Sequence, residues 1–165
     1  MKSSNWFIRV EEAADEADVE ALQSEAFGPG RFARTAFKIR EGIEPHSSLC
    51  FVGINGADLA GSVRLTRIMI GSTQALLLGP LTVSPKYKNR GLGKKLLNTV
   101  IDAARSEGET AILLVGDQPY YGPFGFNVVP FGQISLPGPV DPARLLVACL
   151  NGAVMPSGDV RGGDV

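Results

Sequence analysis

The chain predicts a mixed α/β domain whose sheet is mostly antiparallel and flanked by helices, and three observations carry that expectation. Two turn signals, Asn55-Gly56 and Gly71-Ser72, join three apolar segments, the pattern of consecutive antiparallel strands. From Leu92 to Ala104, apolar residues recur at helical spacing behind a Gly-rich turn. Beyond that helix lies the short, wholly apolar run Ala111 to Val115, which suits a buried parallel strand reached by a strand–helix–strand crossover.

Each element follows in order. Trp6 to Val10 reads as a strand. Asp15 can cap a helix over residues 15 to 26, where Val19, Leu22 and Ala26 recur at three and four. Gly28-Pro29-Gly30 breaks it, and Arg31 to Glu41 resumes a helical pattern through Phe32, Thr35, Ala36 and Ile39 until Gly42. Leu49 to Ile54 and Leu59 to Ile70 form a hairpin, the second strand alternating through Ser62, Arg64 and Thr66. Gln74 to Val83 is a third strand, interrupted at Gly79-Pro80. Pro cannot donate to a ladder and Gly tolerates unusual dihedrals, so a bulge is expected there. The helix that follows the Gly-rich turn puts Leu92, Leu96, Leu97, Val100, Ile101 and Ala104 on one face and stops at Gly108. Asn127 to Phe131 and Leu145 to Leu150 supply later strands, with a turn at Pro137-Gly-Pro139. From Pro156 onward Gly, Asp and Ser dominate, so one domain over residues 1–155 is expected to carry a mobile tail over 156–165.

A chain of 165 residues with 44% hydrophobic content can bury a real core without metal or disulfide staples. Cys50 and Cys149 lie in separate apolar runs without metal-ligand spacing, and are expected to be reduced core residues, which favours the cytoplasm. Arg9, Glu11 and Glu12 arrive before any apolar stretch of signal length, and no run approaches the ~20 apolar residues of a membrane span. The net charge of −1 gives no reason to expect nucleic acid as a partner. Basic residues instead gather locally: Lys86, Lys88, Arg90, Lys94 and Lys95 surround the Gly-rich turn. Cations at a helix start oppose the macrodipole, and a bound phosphate would explain them.

The stretch from Leu78 to Leu97 therefore runs from a strand through a basic turn into an amphipathic helix, an order of elements that builds an anion site. The first N–H groups of a helix lack intrahelical partners, and Gly91 and Gly93 carry no side chains to keep a phosphate away. A lone Gly-x-Gly also fits a simple flexible turn. A P-loop is excluded, because position 88 is Lys where that motif needs Gly, and Lys95 follows Lys94 where it needs Ser or Thr. A dinucleotide fingerprint does not fit either: the glycines lie mid-chain, after hairpin signals, with no third Gly at Arg90 or Lys95.

The turn resembles the acyl-coenzyme A site of the GNAT superfamily of N-acetyltransferases, whose loop reads Arg/Gln-x-x-Gly-x-Gly/Ala after a strand ending Val-x-Pro. Val83-Ser84-Pro85 is followed here by Lys88-Asn89-Arg90-Gly91-Leu92-Gly93, with Lys88 departing from the usual Arg or Gln. A second match, Tyr121-Gly122-Pro123-Phe124-Gly125-Phe126, fits the family's Tyr-x-x-x-Gly-Phe after the Ala111–Val115 run. Leu114-Val115-Gly116-Asp117 before Tyr120-Tyr121 looks like a bacterial branch of predicted acyltransferases. The matched segments cover residues 75 to 130.

That resemblance implies the acyl-CoA N-acyltransferase fold, in which the bulged strand splays from the next, parallel strand and the opening receives the pantetheine arm and thioester. It implies direct transfer of an acetyl group from acetyl-CoA (coenzyme A as co-substrate, no metal) to a primary amine of a small molecule or peptide, by a monomer or homodimer. Leu81, Thr82 and Val83, together with Lys88, Asn89, Arg90, Gly91, Leu92, Gly93 and Lys94, would hold the coenzyme. The Leu81 N–H would face the oxyanion, and Tyr121 would meet the coenzyme sulfur and protonate the thiolate, with Tyr120 facing elsewhere. The two N-terminal helices would form one acceptor wall. Ala75 to Val83 contains no acid, so the strand Glu of some relatives has no counterpart; Glu25, Glu44 and His46 are the substitutes, or a water chain. Arg31, Arg34 and Arg64 fit an anionic acceptor or plain surface. Two alternatives stand beside this: a longer-chain transferase using acyl-CoA or an acyl-carrier protein, and a catalytically inactive coenzyme A sensor or partner-binding domain.

Overall fold

The structure is a computed structural model that describes residues 6–28, 35–46 and 48–163. Strand β1 (Phe7–Val10) precedes a 3-10 turn and helix α1 (Glu16–Phe27); helix α2 (Thr35–Arg40) precedes β2 (Cys50–Asn55), β3 (Asp58–Ile70) and β4 (Thr73–Val83). Helix α3 (Leu92–Ser106) leads to β5 (Ala111–Val115), the single-turn α4 (Gln118–Tyr121), β6 (Phe126–Val128), β7 (Ile134–Ser135), β8 (Leu145–Cys149) and β9 (Gly158–Gly162). The predicted break at Gly28-Pro29-Gly30 and the helical residues Arg31 to Arg34 lie, beyond Gly28, outside the described residues.

The sheet runs β1-β2-β3-β4-β5-β8-β6, antiparallel at every step except β4 to β5. Its alternating strands send apolar residues to both faces, and each face is covered. Leu96, Leu97, Val100 and Ile101 of α3 pack with Val63, Leu65, Leu76 and Ile112 on one side. Ile68, Leu77, Leu113 and Val147 meet Ile39 of α2, Val129, Ile134 and Val160 on the other. α1 adds Val19 and Leu22, both buried.

The feature that matters for function is where β4 parts from β5. The two pair only at Leu76–Ile112 and Leu77–Leu113. Past that point β4 carries one residue more than its other neighbour: Leu78 faces Leu65 and Leu81 faces Val63, so Gly79 and Pro80 together stand opposite Arg64. Pro80 has no N–H to offer a ladder, and the φ of +139° at Gly79 suits only glycine. β5 meanwhile stays paired with β8 as far as Val115–Leu145, so the two strands are held by different partners and a wedge opens between them.

Three expectations need correction. Residues 158–162 are a strand rather than part of a mobile tail: β2 leaves β3 at Arg64, and β9 occupies the edge thus exposed by pairing with Ile68, Met69 and Ile70. Cys50 is buried as expected but Cys149, the last residue of β8, is exposed; both are free thiols. Asp15 does not cap α1 with its side chain; its carboxylate instead accepts from the backbone N–H of Glu12 at 2.7 Å and from Arg9 at 2.7 and 2.9 Å. The short strand β7, which has only two residues, has no readable signal in the sequence.

Candidate active site

A cavity of about 490 Å³ fills the wedge, with Leu78 to Leu81 on one wall and Leu114 to Asp117 on the other. A second hollow, of about 380 Å³, lies over the start of α3 against Val83, Lys88, Gly91, Gly93 and Lys94. Tyr120 borders both.

The hollow owes its polarity to main chain. Gly91 is the N-cap of α3 at φ +88°, a conformation that favours glycine, and it offers no side chain to the first-turn N–H groups. Asn89 also sits at positive φ, +64°, as Asn tolerates better than most residues. At Gly93 a Cβ would stand 3.1 Å from the Tyr120 hydroxyl and 3.7 Å from a Val83 methyl, so glycine here lets α3 begin close beside α4. Lys88 and Lys94 border the hollow, as does Asn89. The rest of the basic run is used otherwise. Lys86 bonds Asp58 at 3.2 Å, and Arg90 lies 5.7 Å over the ring of Tyr87, whose hydroxyl also donates to Asp58 at 2.6 Å. Leu92 is only 1% exposed, its side chain aimed at Gly53 and Gly61 in the core, which leaves its backbone to meet any ligand.

Along β4, Leu81 borders the wedge and Val83 the hollow. Thr82 does not border either: it is 3% exposed, lies opposite Ser62, and its hydroxyl has no hydrogen-bond partner.

Tyr121 borders the wedge and packs its ring edge-on against Phe126 at 5.9 Å and Tyr120 at 4.9 Å. Gly116 makes room for it, since a Cβ there would meet the ring at 2.5 Å. Burial, reinforced by Tyr120 and Asp117, pushes the phenol up to about 12, so it holds its proton at any ordinary pH. Tyr120 does not face away as the sequence suggests. α4 is a single turn beside both spaces, so both consecutive rings reach the wedge while only Tyr120 reaches the hollow.

At the other end of the wedge stand Glu20 and Gln23 from α1, Arg40 from α2, and Arg64 and Thr66 from β3. Arg64 is thus at the cavity as proposed from sequence, but its guanidinium is held by Glu11 at 3.0 and 2.6 Å. Arg31 and Arg34 lie outside the described residues. Among the described residues, Glu25, Glu44 and His46 do not border the wedge, and His46 instead sits 3.8 Å from the carboxylate of Glu107. The acids that do border it are Glu20 and Asp117, the latter 3.4 Å from Arg144. Glu20, Gln23 and Phe27, spaced by three and four, form one stripe of α1 beside the apolar stripe of Val19, Leu22 and Ala26, and that spacing is the signal in the sequence that points to them.

The acetyltransferase (GNAT) family model matches residues 12–126. The chain belongs to the GNAT acetyltransferase family. It is 24% identical over 131 residues to YjhQ, an uncharacterized N-acetyltransferase of Escherichia coli K12, across 77% of this chain and 72% of that one. Identity to YhbS, another uncharacterized E. coli N-acetyltransferase, is 26% over 127 residues, or 73% of each chain. Among solved structures, YhbS in complex with CoA superposes with a TM-score of 0.79 at 24% identity, covering 99% of this chain and 93% of that one. A GNAT acetyltransferase from Brucella melitensis in complex with acetyl-CoA gives 0.74 at 24% identity and 96% of each. These neighbours share the overall fold, and family membership makes this chain an acyl-CoA-dependent N-acyltransferase. Among the described residues, no helix is long and apolar enough to cross a membrane.

Proposed function

We propose that this acetyltransferase moves an acetyl group from acetyl-CoA directly to a primary amine inside the β4–β5 wedge. One observation carries the proposal: the wedge and the hollow share Tyr120 in their linings, with Tyr121 beside it in the wedge, and the hollow lies over a helix start whose N–H groups have no side-chain cap. The residues present fit the coenzyme. Uncapped amides of Gly93 and Lys94, backed by Lys88 and Lys94 and cleared by Gly91 and Gly93, match a diphosphate, while the β4 edge from Leu81 to Val83 matches an extended amide-bearing arm. Arg90 and Asn89 shape the turn, and Leu92 and Thr82 contribute main chain only.

Acetyl-CoA supplies an acyl group activated as a thioester. In the overall exchange a C–N bond forms, the C–S bond breaks, the amine loses a proton and the departing sulfur gains one. Tyr121 holds the proton for the sulfur, and its raised pKa keeps that proton in place until it is needed. The Leu81 N–H, next after a proline that has none, is the donor we assign to the developing oxyanion. The amine's proton leaves through water, since the acids at the cavity, Glu20 and Asp117, are exposed.

Calorimetry with acetyl-CoA, followed by release of free thiol across a panel of amines, tests the proposal. Micromolar donor binding and amine-dependent thiol release are expected; the absence of donor binding overturns it.

A further inference from the structure

We propose that the acceptor amine also carries a carboxylate, received by Arg40 together with Gln23 and Thr66; this rests on the acetyl-transfer reading and narrows its substrate. Three other arginines set the comparison. Arg9 is bonded to both oxygens of Asp15, Arg64 to both of Glu11, and Arg67 to both of Glu109. Each planar fork is closed by a carboxylate, the pairing that suits it best. Arg40 borders the wedge and, among the described residues, has no such partner.

Its surroundings make that vacancy unfavourable. Arg40 is half-buried, and its Nη1 lies 3.4 Å from where a Cβ on Gly79 would be, at the bulge itself. The charge that acts on it is the repulsive one of Arg64; burial and that neighbour together push it down to about 10. A cation withdrawn from water beside a second cation gains most from an incoming anion.

Two further residues line the same space. Gln23 is 5% exposed and Thr66 1% exposed, both border the wedge, and neither the Gln23 Nε2 nor the Thr66 Oγ1 has a partner. Such buried polar atoms are uncommon in a finished core and are expected where a ligand completes the bonding. Guanidinium, amide N–H and hydroxyl are all donors, and a carboxylate offers about four lone-pair sites to them. Among the described lining residues Arg40 is the cation without a carboxylate partner, and one positive charge matches one negative charge, which favours a carboxylate over a doubly charged phosphate.

Position ties the carboxylate to the amine. The Arg40 guanidinium lies beside Gly79, and Leu81, assigned to the reacting carbonyl, is only two residues on along β4. An amine and a carboxylate separated by a few bonds in one small molecule span that gap, so amino acids of short backbone are the indicated class.

The test uses acid and amide pairs. The intact protein is saturated with coenzyme A and titrated calorimetrically with N-acetyl amino acids and the corresponding N-acetyl amino acid amides. In parallel, free amino acids and their amides are compared as acceptors by thiol release. Acids are expected to outperform amides by tenfold or more in both formats, and Arg40→Gln should erase most of that preference. Because Arg40→Gln removes an unpaired cation it should fold, which circular dichroism and melting check; Thr66→Val gives a second, milder variant with the same expected direction. Equal treatment of acids and amides by the wild type, or an undiminished preference in Arg40→Gln, overturns the proposal. Absence of all acid binding in coenzyme-saturated protein overturns it too, whereas failure to bind acetyl-CoA strikes the acetyl-transfer reading instead.

Discussion

The two ends of the wedge are polar for different reasons. The hollow over α3 is built from the segment Val83 to Lys94 with Tyr120 at its border, and the donors available there are main-chain amides at an uncapped helix start. The opposite end is assembled from α1, α2 and β3, and its donors are the side chains of Gln23, Arg40 and Thr66. A backbone site is fixed by the geometry of a helix start and recognises phosphate wherever that geometry recurs. A side-chain site can be rewritten one residue at a time without disturbing the strands beneath it. The contrast assigns donor recognition to the main chain and acceptor choice to the side chains, and it can be broken at either end.

The largest effect is expected from Gly93→Asp. A carboxylate in the first turn favours the helix through the macrodipole, so folding should survive, yet it places negative charge and bulk where the diphosphate would sit. The nearest obstacle is the movable hydroxyl of Tyr120 at 3.1 Å. Acetyl-CoA affinity should fall about 1,000-fold, ~4 kcal/mol, by calorimetry. Retained affinity in a folded variant would mean that the hollow is not the donor site.

Next in size is Tyr121→Phe, in the wedge beside Tyr120. Turnover at saturating substrate should drop about 100-fold, ~2.7 kcal/mol, with donor affinity little changed. The sign of the pH dependence follows from the raised pKa: the phenol is protonated below about 12, so the wild-type rate should show no alkaline decline from this group near neutrality. A loss of acid function near pH 8 or 9 would point to a different proton donor.

The geometry of the α3 turn, proposed as the donor end, is readable in the sequence, whereas that of the proposed acceptor end is not, for a physical reason. Positive φ at Gly91, an apolar stripe on α3 and a bulge at Gly79-Pro80 are local properties, written in neighbouring residues. Arg40 sits in the segment that reads as a helix, but nothing in its neighbours says that it lacks a carboxylate partner. That is known only once β3 and β4 bring Thr66 and Gly79 beside it. Tyr120 was misjudged for a similar reason: helical periodicity sends adjacent residues apart, but α4 is too short for one face to be solvent and the other core. β9 has no strand signal in its run of Gly and Asp; it pairs because β2 begins only at Cys50, opposite Arg64, and leaves Ile68 to Ile70 open.

A smaller effect separates the supports of the two ends. Asp15, tied to Arg9 and to the Glu12 N–H just before α1, steadies the start of that helix, part of the proposed acceptor wall. The Arg9 guanidinium, with help from the Glu12 amide, holds the Asp15 carboxyl below the usual carboxylate range. A depressed folded pKa means that the stabilisation is complete above the unfolded value of about 3.9 and disappears as pH falls through the lower, folded value. Asp15→Asn should therefore cost about 1.5 kcal/mol near neutrality, and the gap from wild type should close only in acid. A gap that is already closing at pH 6 would assign the loss to another group.

The smallest expected change is also the most discriminating, because it compares two threonines that differ only in where they lie. Thr66 and Thr82 are both buried and both have a hydroxyl without a partner, but Thr66 borders the wedge whereas Thr82 does not. Replacing either by Val exchanges an unsatisfied hydroxyl for a methyl of similar shape, which should stabilise the free protein by about 1 kcal/mol. If side chains in the wedge choose the acceptor, Thr66→Val should gain that stability and lose acceptor affinity, while Thr82→Val gains the stability alone. Melting temperature and acceptor KM, measured on the same preparations, separate the two. Equal KM for both variants would show that the missing bond at Thr66 serves no ligand, and the division of labour between main chain and side chain would fail at its acceptor end.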